Sequence, residues 1–551
     1  MFIRAKQRGK RTYLQLVESQ RVDGKVRQRL LHSLGRLDLL QESGELDALA
    51  ASLQRFSKTL ALRGALAKGG LETGSFRHLG AVLIFQRLWQ QLSIDRVLAE
   101  LLHERQFGFA VERVLFVTVL QRLLAPGSDR QAERWMQDYH IGGIEGLELQ
   151  HFYRAMAWLG EPLPDAEQDG ATPFAPRCTK DLIEESLFAR RRDLYTQLDL
   201  VFFDTTSIYF EGAGGESLGQ YGHSKDHRPD LRQMVVGVVL DNCGDPVCAE
   251  LWPGNTADVR TLLPIAERLR RRFHIGRICL VADRGMISAA TMQELEARGW
   301  DYILGVRMRV CKEARAEVLG RAGRYHEVTP ERQQSKDPAP LQVKEVRVGE
   351  RRYVVCLNAE EARKDAHDRA AILASLREAL KKGDKALVGN KGYRRYLKQP
   401  DGHFSIDTEK VAEEARYDGK WVLTTNTDWA AADVALRYKQ LWTVEDIFRS
   451  MKTLLATRPV YHKCDETIRG HVWCSYLALL LRKELQDRLE AAAPGAEPLE
   501  WADIIRDLEA LGEMEVWVAG KRYLLRTEAH PAAARTFAAC KVALPPTMRN
   551  G

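Results

Sequence analysis

The chain has 551 residues, too many for one ordinary domain, and its 45% hydrophobic and 28% charged content is that of a folded globular protein, not a disordered or fibrous one. No apolar run reaches the length of a membrane span, and the N-terminus lacks the apolar core of a secretion signal. The nine cysteines are scattered without a C-x-x-C pair, which points to neither a zinc site nor a disulfide framework, so a cytoplasmic protein with no membrane partner is expected.

The net charge of +7 is unevenly placed. The first 36 residues hold ten Lys or Arg against two acids, Glu18 and Asp23, so this head alone carries +8. Residues 11–17 and 25–30 read as two strands turned at Asp23-Gly24. Arg8, Lys10, Arg11, Lys25, Arg27 and Arg29 are candidate phosphate contacts, because each neutralised phosphate releases counterions. The plainer alternative is a solvated basic hairpin. Residues 39–160 then read mainly as helices. The apolar stretch 110–124 stops at Pro126-Gly127, and Ser128 with Gln131 forms a capping box for the next helix. Short helices at this spacing suit a helix-turn-helix and equally any small bundle. Residues 161–180, with four prolines, are the clearest linker.

From about residue 199 strands and helices alternate. Strands are predicted at 200–205, 231–241, 246–252, 278–282 and 302–306, with helices at 258–273 and 289–298. The apolar run Leu200-Val201-Phe202-Phe203 ends in Asp204, and Cys279-Leu280-Val281-Ala282 ends in Asp283. An acid at the end of a core strand is costly unless a cation or a dense set of hydrogen bonds compensates it. A single such acid more often caps a turn. If the fourth strand pairs beside the first, as a crossover permits, the two carboxylates converge.

The next hundred residues break that rhythm. A hairpin over 341–347 and 352–357 around Gly349, a charged helix at 366–381 and strands at 404–406 and 421–425 are expected. Asp283 and Glu445 lie 162 residues apart, too far for a plain loop, so an inserted module is required. Lys391, Arg394 and Arg395, interleaved with Tyr393 and Tyr396, could grip DNA or form a solvated face. On one continuous helix, Tyr438, Trp442, Glu445, Arg449 and Lys452 would share a face, with Val444, Ile447, Met451 and Leu455 on an apolar one. Asp446 would point about 100° away from Glu445, which makes it the weaker ligand. A buried ion-paired structural helix is the alternative. Three acids from separate elements suit hard divalent ions, and two such ions can drive phosphodiester chemistry.

These motifs resemble the DDE transposases of bacterial insertion sequences, in the subgroup with a Tyr-x2-Arg-x3-Glu-x6-Lys signature. Tyr438, Glu445 and Lys452 match it, while the Arg position is Leu441, with Arg437 and Arg449 as neighbouring cations. Asp204-Thr205-Thr206 resembles the first-acid motif, and Asp283-Arg284-Gly285-Met286 is similar to the second. The segment from Tyr221 to Asp230, with Lys225 and Arg228, is similar to the group's stretch between the first two acids.

The resemblance implies an α/β fold: an RNase H-like catalytic core with a β-containing insertion, preceded by a basic β-hairpin and a mostly helical N-terminal region. The expected boundaries are 1–40 for the hairpin, 41–160 for a helical DNA-end-binding region and 161–185 for a linker. The core would span 186–308 and 418–485, the insertion 309–417, and a possible dimerisation region 486–551. Asp204, Asp283 and Glu445 would be catalytic and hold two Mg²⁺ ions, with Mn²⁺ as a possible substitute. Tyr438, Arg449, Lys452, Lys225 and Arg228 would contact DNA. The implied activity is cut-and-paste transposition by a homodimer on paired element ends. An RNase H-like nuclease such as a junction resolvase would share the acids without needing end-recognition regions, and strand transfer separates the two. A non-catalytic, transposase-derived DNA-binding protein would be expected to have lost an acid, and all three are present.

Overall fold

The computed structural model describes residues 2–22, 25–54, 71–169, 171–172, 175–191, 200–274, 278–329, 340–382, 394–399, 403–518 and 521–551. The strands used below are β1 (Phe2–Arg8), β2 (Arg11–Val22), β3 (Lys25–Arg36), β4 (Leu71–His78), β5 (Leu200–Tyr209), β6 (Gln233–Leu240), β7 (Pro246–Pro253) and β8 (Cys279–Ala282). They continue with β9 (Asp301–Val306), β10 (His326–Val328), β11 (Leu341–Val348), β12 (Arg351–Leu357), β13 (Lys420–Thr425), β14 (Gly512–Val518), β15 (Lys521–Arg526) and β16 (Met548–Asn550). The helices are α1 (Val111–Leu124), α2 (Leu149–Gly160), α3 (Thr179–Arg191), α4 (Leu262–Phe273), α5 (Ala289–Ala297), α6 (Ala359–Lys381), α7 (Ala431–Lys439), α8 (Trp442–Arg449) and α9 (Asp465–Ala492).

Two compact units form. One combines Met1–Gly80, Asp507–His530 and Leu544–Gly551. Its basic head is a three-stranded antiparallel sheet, β1-β2-β3, not a plain two-stranded hairpin. Strand β1 escapes a pattern reading because almost all of its residues are exposed, leaving no apolar alternation to detect. The expected turn at Asp23-Gly24 lies outside the described residues. A second sheet in this unit runs β16-β15-β14-β4. Part of the stretch expected to stand apart as 486–551 therefore pairs with residues 71–78, in a register that sets Gly512 opposite His78.

The other unit spans Ala81–Arg506 and Pro531–Ala543. Its centre is a nine-stranded sheet in the order β10-β11-β12-β13-β9-β8-β5-β6-β7. Strands β5, β6 and β7 are antiparallel neighbours, while β5–β8 and β8–β9 pair in parallel through α4 and α5 as crossovers. Numbered within the core, the first five strands stand in the order 3-2-1-4-5, which is the RNase H-like arrangement. Val201 and Phe203 of β5, Val239 of β6 and Leu280 of β8 pack with Ile265, Leu269 and Phe273 of α4. Most strands of the insertion join the core sheet, while short strands at Leu397–Lys398 and Ser405–Ile406 pair with each other in a small sheet of their own. Strand β13 pairs antiparallel with β9, and β12, β11 and β10 follow outward, so the insertion widens the core sheet.

Two other expected boundaries shift. The supposed linker, 161–185, includes the start of α3, where Lys180, Asp181 and Glu184 are buried. Its proline-rich part is tied down by Gln168, whose side-chain amide donates to the carbonyls of Leu163 and Arg177. Within the region 41–160, helices α1 and α2 pack on α9 at the end of the core. Small residues permit the α2–α9 crossing: a Cβ on Gly160 would strike the Glu466 carbonyl, and one on Gly470 the Met156 carbonyl.

A buried ionic network binds α3 and α4 to the sheet edge. Arg272 reaches Glu184 at 2.6 Å and Glu250 of β7 at 3.0 Å. Arg268 meets the same Glu250 at 3.0 Å, and Lys180 meets Asp181 at 2.6 Å. Three acids and three bases nearly cancel, but deleting one member leaves uncompensated charge in the interior. Arg272→Met should therefore destabilise this unit by about 3–5 kcal/mol in urea unfolding. A loss below about 1 kcal/mol would show that water reaches the network.

Candidate active site

The parallel register of β5 and β8 pairs Phe203 with Ala282, so Asp204 and Asp283 follow side by side on adjacent strands. Asp204 interrupts an otherwise buried run along β5. Burial raises its carboxyl to about 6, opposed mainly by nearby Lys225 and by the Thr205 amide, which donates to Asp204 Oδ1 at 2.7 Å. The like charges of Asp283 and Asp258 push it further up. Asp283 is held by the Tyr438 hydroxyl, which donates to Oδ1 at 2.9 Å. Burial, then Asp283 itself, keeps the Tyr438 phenol well above its usual range. Gly305 on β9 makes this contact possible, because a Cβ there would collide with the Tyr438 hydroxyl.

Glu445 enters from the first turn of α8. Asp204, Asp283 and Glu445 line one cavity of about 250 Å³ together with Glu361, Trp421, Tyr438, Lys439, Leu441 and Trp442. Its donors toward a cation are carboxylate oxygens, the set that hard divalent ions take. Asp204, buried with its carboxyl raised, is the group a bound cation would relieve. Among the described residues no three His, Cys, Asp or Glu side chains already stand close enough to hold a metal ion.

The expected single helix from Tyr438 to Lys452 is interrupted. Helix α7 ends at Lys439, α8 begins at Trp442, and a wider turn follows over Ser450–Leu454. Tyr438 and Glu445 reach the cavity from different helices, and their common stripe is an accident of spacing. The residues proposed from the sequence for DNA contact fare unequally. Tyr438 is committed to Asp283. Lys452 is largely buried and donates to Asp226 Oδ1 at 2.8 Å. Lys225 donates to the carbonyl and hydroxyl of Thr205. Arg228 pairs with Asp230 at 2.8 Å on the surface, and Arg449, with 71% of its side chain exposed, stands 3.6 Å from Asp446. Arg8, Lys10, Arg11, Arg27 and Arg29 are exposed. The side chain of Lys25, like residues 391 and 393, lies outside the described residues, while Tyr396 is buried.

Glu361, Trp421 and Lys439 escaped the sequence reading, and so did Asp258, which accepts a hydrogen bond from the Thr205 hydroxyl at 2.8 Å. Asn358 gave the one available signal for Glu361. It caps α6 by accepting from the amides of Glu360 and Glu361, so the helix starts at Ala359, seven residues earlier than its charge pattern suggests.

Residues 195–481, just over half of the chain, match the family described as Transposase DDE domain. The chain belongs to that family. It is a DNA transposase, and residues 3–64 match the description IS1634 family transposase, N-terminal domain, so the enzyme is of the bacterial insertion-sequence kind. No curated protein matches the sequence. Among solved structures, the transposase overlaps the piggyBac transposase synaptic complex with hairpin DNA at 11% identity and a TM-score of 0.37, over 78% of this chain and 79% of that one. It overlaps the Mos1 mariner paired end complex with Mn at 14% identity and a TM-score of 0.14, over 40% of this chain and 76% of that one. At such scores neither overlap adds to the family match and the sheet order. Among the described residues no helix is long and apolar enough to cross a membrane.

With a cation held at Asp204, proton and cation would compete for its carboxylate. The affinity of the transposase for Mn²⁺ should therefore fall by up to about tenfold per pH unit below pH 6 and level off above it. Paramagnetic resonance of free Mn²⁺ measures this directly. An affinity that stays flat from about pH 5 to 7 would remove Asp204 from the ligand set.

Proposed function

We propose that this transposase moves its element by cut-and-paste transposition, with Asp204, Asp283 and Glu445 as the ligands of two divalent ions, Mg²⁺ or Mn²⁺. The observation that carries this reading is the shared cavity: two acids in register on adjacent parallel strands and a third delivered by α8. Bound there, the ions would supply Lewis-acid charge to the scissile phosphate and to the attacking and leaving oxygens. In the first reaction water breaks a phosphodiester at the element end and frees a 3′-hydroxyl. In the second that hydroxyl attacks a phosphodiester of target DNA, so one bond forms as another breaks.

The protein's own groups set the geometry. Tyr438 fixes the rotamer of Asp283, and Asp258 with Lys225 braces β5 at Thr205, next to Asp204. The exposed cations of the β1-β2-β3 head would hold the element end through its phosphates, a contact that weakens with salt. Exposed Arg228 and Arg449 are free to do the same nearer the cavity once their surface acids yield. A homodimer would bring two ends together, and the Tyr-Arg-Glu-Lys subgroup is the assignment that Tyr438, Glu445 and Lys452 favour, with Leu441 as the departure.

The test uses duplexes taken from the DNA that brackets the reading frame, with cleavage and strand transfer followed on gels. Asp204→Asn, Asp283→Asn and Glu445→Gln should each lower cleavage about a thousandfold or more while sparing end binding, since several kcal/mol of transition-state stabilisation are lost. Asp446→Asn should stay within about threefold of wild type, because Asp446 faces Arg449 and Arg482 and does not line the cavity. Equal losses at Glu445 and Asp446 would mean that the wrong acid has been placed in the cavity. Cleavage without any strand transfer would make the protein a nuclease.

A further inference from the structure

The segment between β5 and β6 that includes Tyr221 to Asp230 carries part of the family resemblance, and of its residues only Lys225 and Arg228 enter the reading above. Two adjacent residues of opposite charge within it reach different elements. Lys225 Nζ donates to the Thr205 carbonyl at 2.7 Å and to its hydroxyl at 3.0 Å, and it stands 3.2 Å from Asp258. The Lys225 amide also donates to Ser207 Oγ at 2.8 Å. Both contacts fall on β5 immediately after Asp204. Asp226 instead receives Lys452 Nζ at 2.8 Å and Arg458 Nη1 at 2.6 Å, both on the same carboxylate oxygen. Lys452 lies in the turn that follows α8, the helix of Glu445.

Asp226 is an expensive residue to bury. Only 7% of its side chain is exposed, and its second oxygen, Oδ2, is buried without a hydrogen-bond partner. Ion pairs withdrawn from water add little net stability, so a buried carboxylate with one idle oxygen is poorly explained as a stabiliser. Its other effect is geometric. The loop is already in strained backbone, with His227 at a φ of 56°, a conformation that non-glycine residues rarely adopt. Three surrounding hydrogen bonds to Ser224 and Ser207 hold the turn that presents Lys225 and Asp226.

We propose that Lys225-Asp226 is a positioning pair that sets the separation of the first and third acids. Lys225 pins β5 just beyond Asp204, and Asp226 pins the segment that follows Glu445 through Lys452 and Arg458. Lys452 thus acts on the metal ligands from behind, whatever it later offers to DNA. This inference rests on the reading that Asp204 and Glu445 hold divalent ions, and the experiment separates the two.

The full-length protein is titrated with Mn²⁺, free ion is followed by paramagnetic resonance, and melting is recorded without metal. Asp226→Asn should weaken Mn²⁺ binding about tenfold, in the range typical of residues that orient metal ligands. Its metal-free melt should remain a single cooperative transition, so that the loss is read on a folded protein. Lys225→Met should do the same from the other end of the pair, which keeps the test decisive if one variant folds poorly. Lys452→Gln should weaken binding in the same direction but no further than Asp226→Asn, which also loses Arg458, and the double variant should be no weaker than Asp226→Asn alone. Undiminished Mn²⁺ affinity in Asp226→Asn and Lys225→Met, alongside lost binding in Asp204→Asn, overturns the positioning pair and leaves the metal site standing. Full binding in Asp204→Asn overturns the metal site, and the positioning pair with it.

Discussion

Asp204 sits in a strand whose neighbours on both sides are buried, and ionising a carboxylate there is unfavourable unless other charges respond to it. Much of the surrounding structure can be understood as that response. Lys225 leans in from the following loop and is the main opposing influence on the raised carboxyl. Asp283 stands at the same level on the next strand and makes matters worse. Two acids kept this close in low dielectric form an unstable arrangement by themselves, and a cation placed between them turns the liability into a binding site. Tyr438 contributes a neutral donor to Asp283, which steadies the group without neutralising it.

The sheet explains how a third acid arrives after so long a detour. After β9 the chain crosses to the outer edge of the sheet at β10, builds inward through β11 and β12, and returns as β13 beside β9. Strand β13 runs antiparallel to its neighbour β9, and α7 then carries Tyr438 back to Asp283 beyond β8, after which α8 begins with Glu445 in its first turn. The insertion is thus a continuation of the scaffold, and Trp421 of β13 and Glu361 of α6 become walls of the same cavity. Rigidity comes from two other places in the unit. There the Arg272–Glu184–Glu250 network and the close α2–α9 crossing at Gly160 and Gly470 leave little freedom for the core to relax.

The sequence made the acids of this cavity legible because they break a pattern. A run such as Leu200-Val201-Phe202-Phe203 predicts burial, and a charge at its end is a conspicuous departure; the same holds at Asp283. The order of strands and helices from 200 to 306 could be read from period and turns because those elements are short, local and amphipathic. What escaped was non-local or chemically quiet. Nothing in Gln440-Leu441 signals the interruption between α7 and α8, since both residues favour helix. The pairing of β4 with β14 joins positions more than 430 residues apart, beyond the reach of any pattern in one window. The resemblance assigns Lys452 to DNA phosphate, while nothing in its own segment signals that Asp226, in another part of the chain, is its ion-pair neighbour. A cation's partner is a tertiary fact.

The central claim is that Asp204, Asp283 and Glu445 surround one ion-binding point. Substituting Fe²⁺ for Mg²⁺ and adding peroxide with ascorbate generates hydroxyl radicals at the bound ion, which cut the polypeptide within a few ångströms. Sequencing the fragments then maps the site without any knowledge of the DNA substrate. The account predicts three clusters of cuts, around residues 204, 283 and 445, all suppressed together by excess Mg²⁺ and all absent in Asp204→Asn. Cuts confined to one of these segments, or centred elsewhere in the chain, would contradict it.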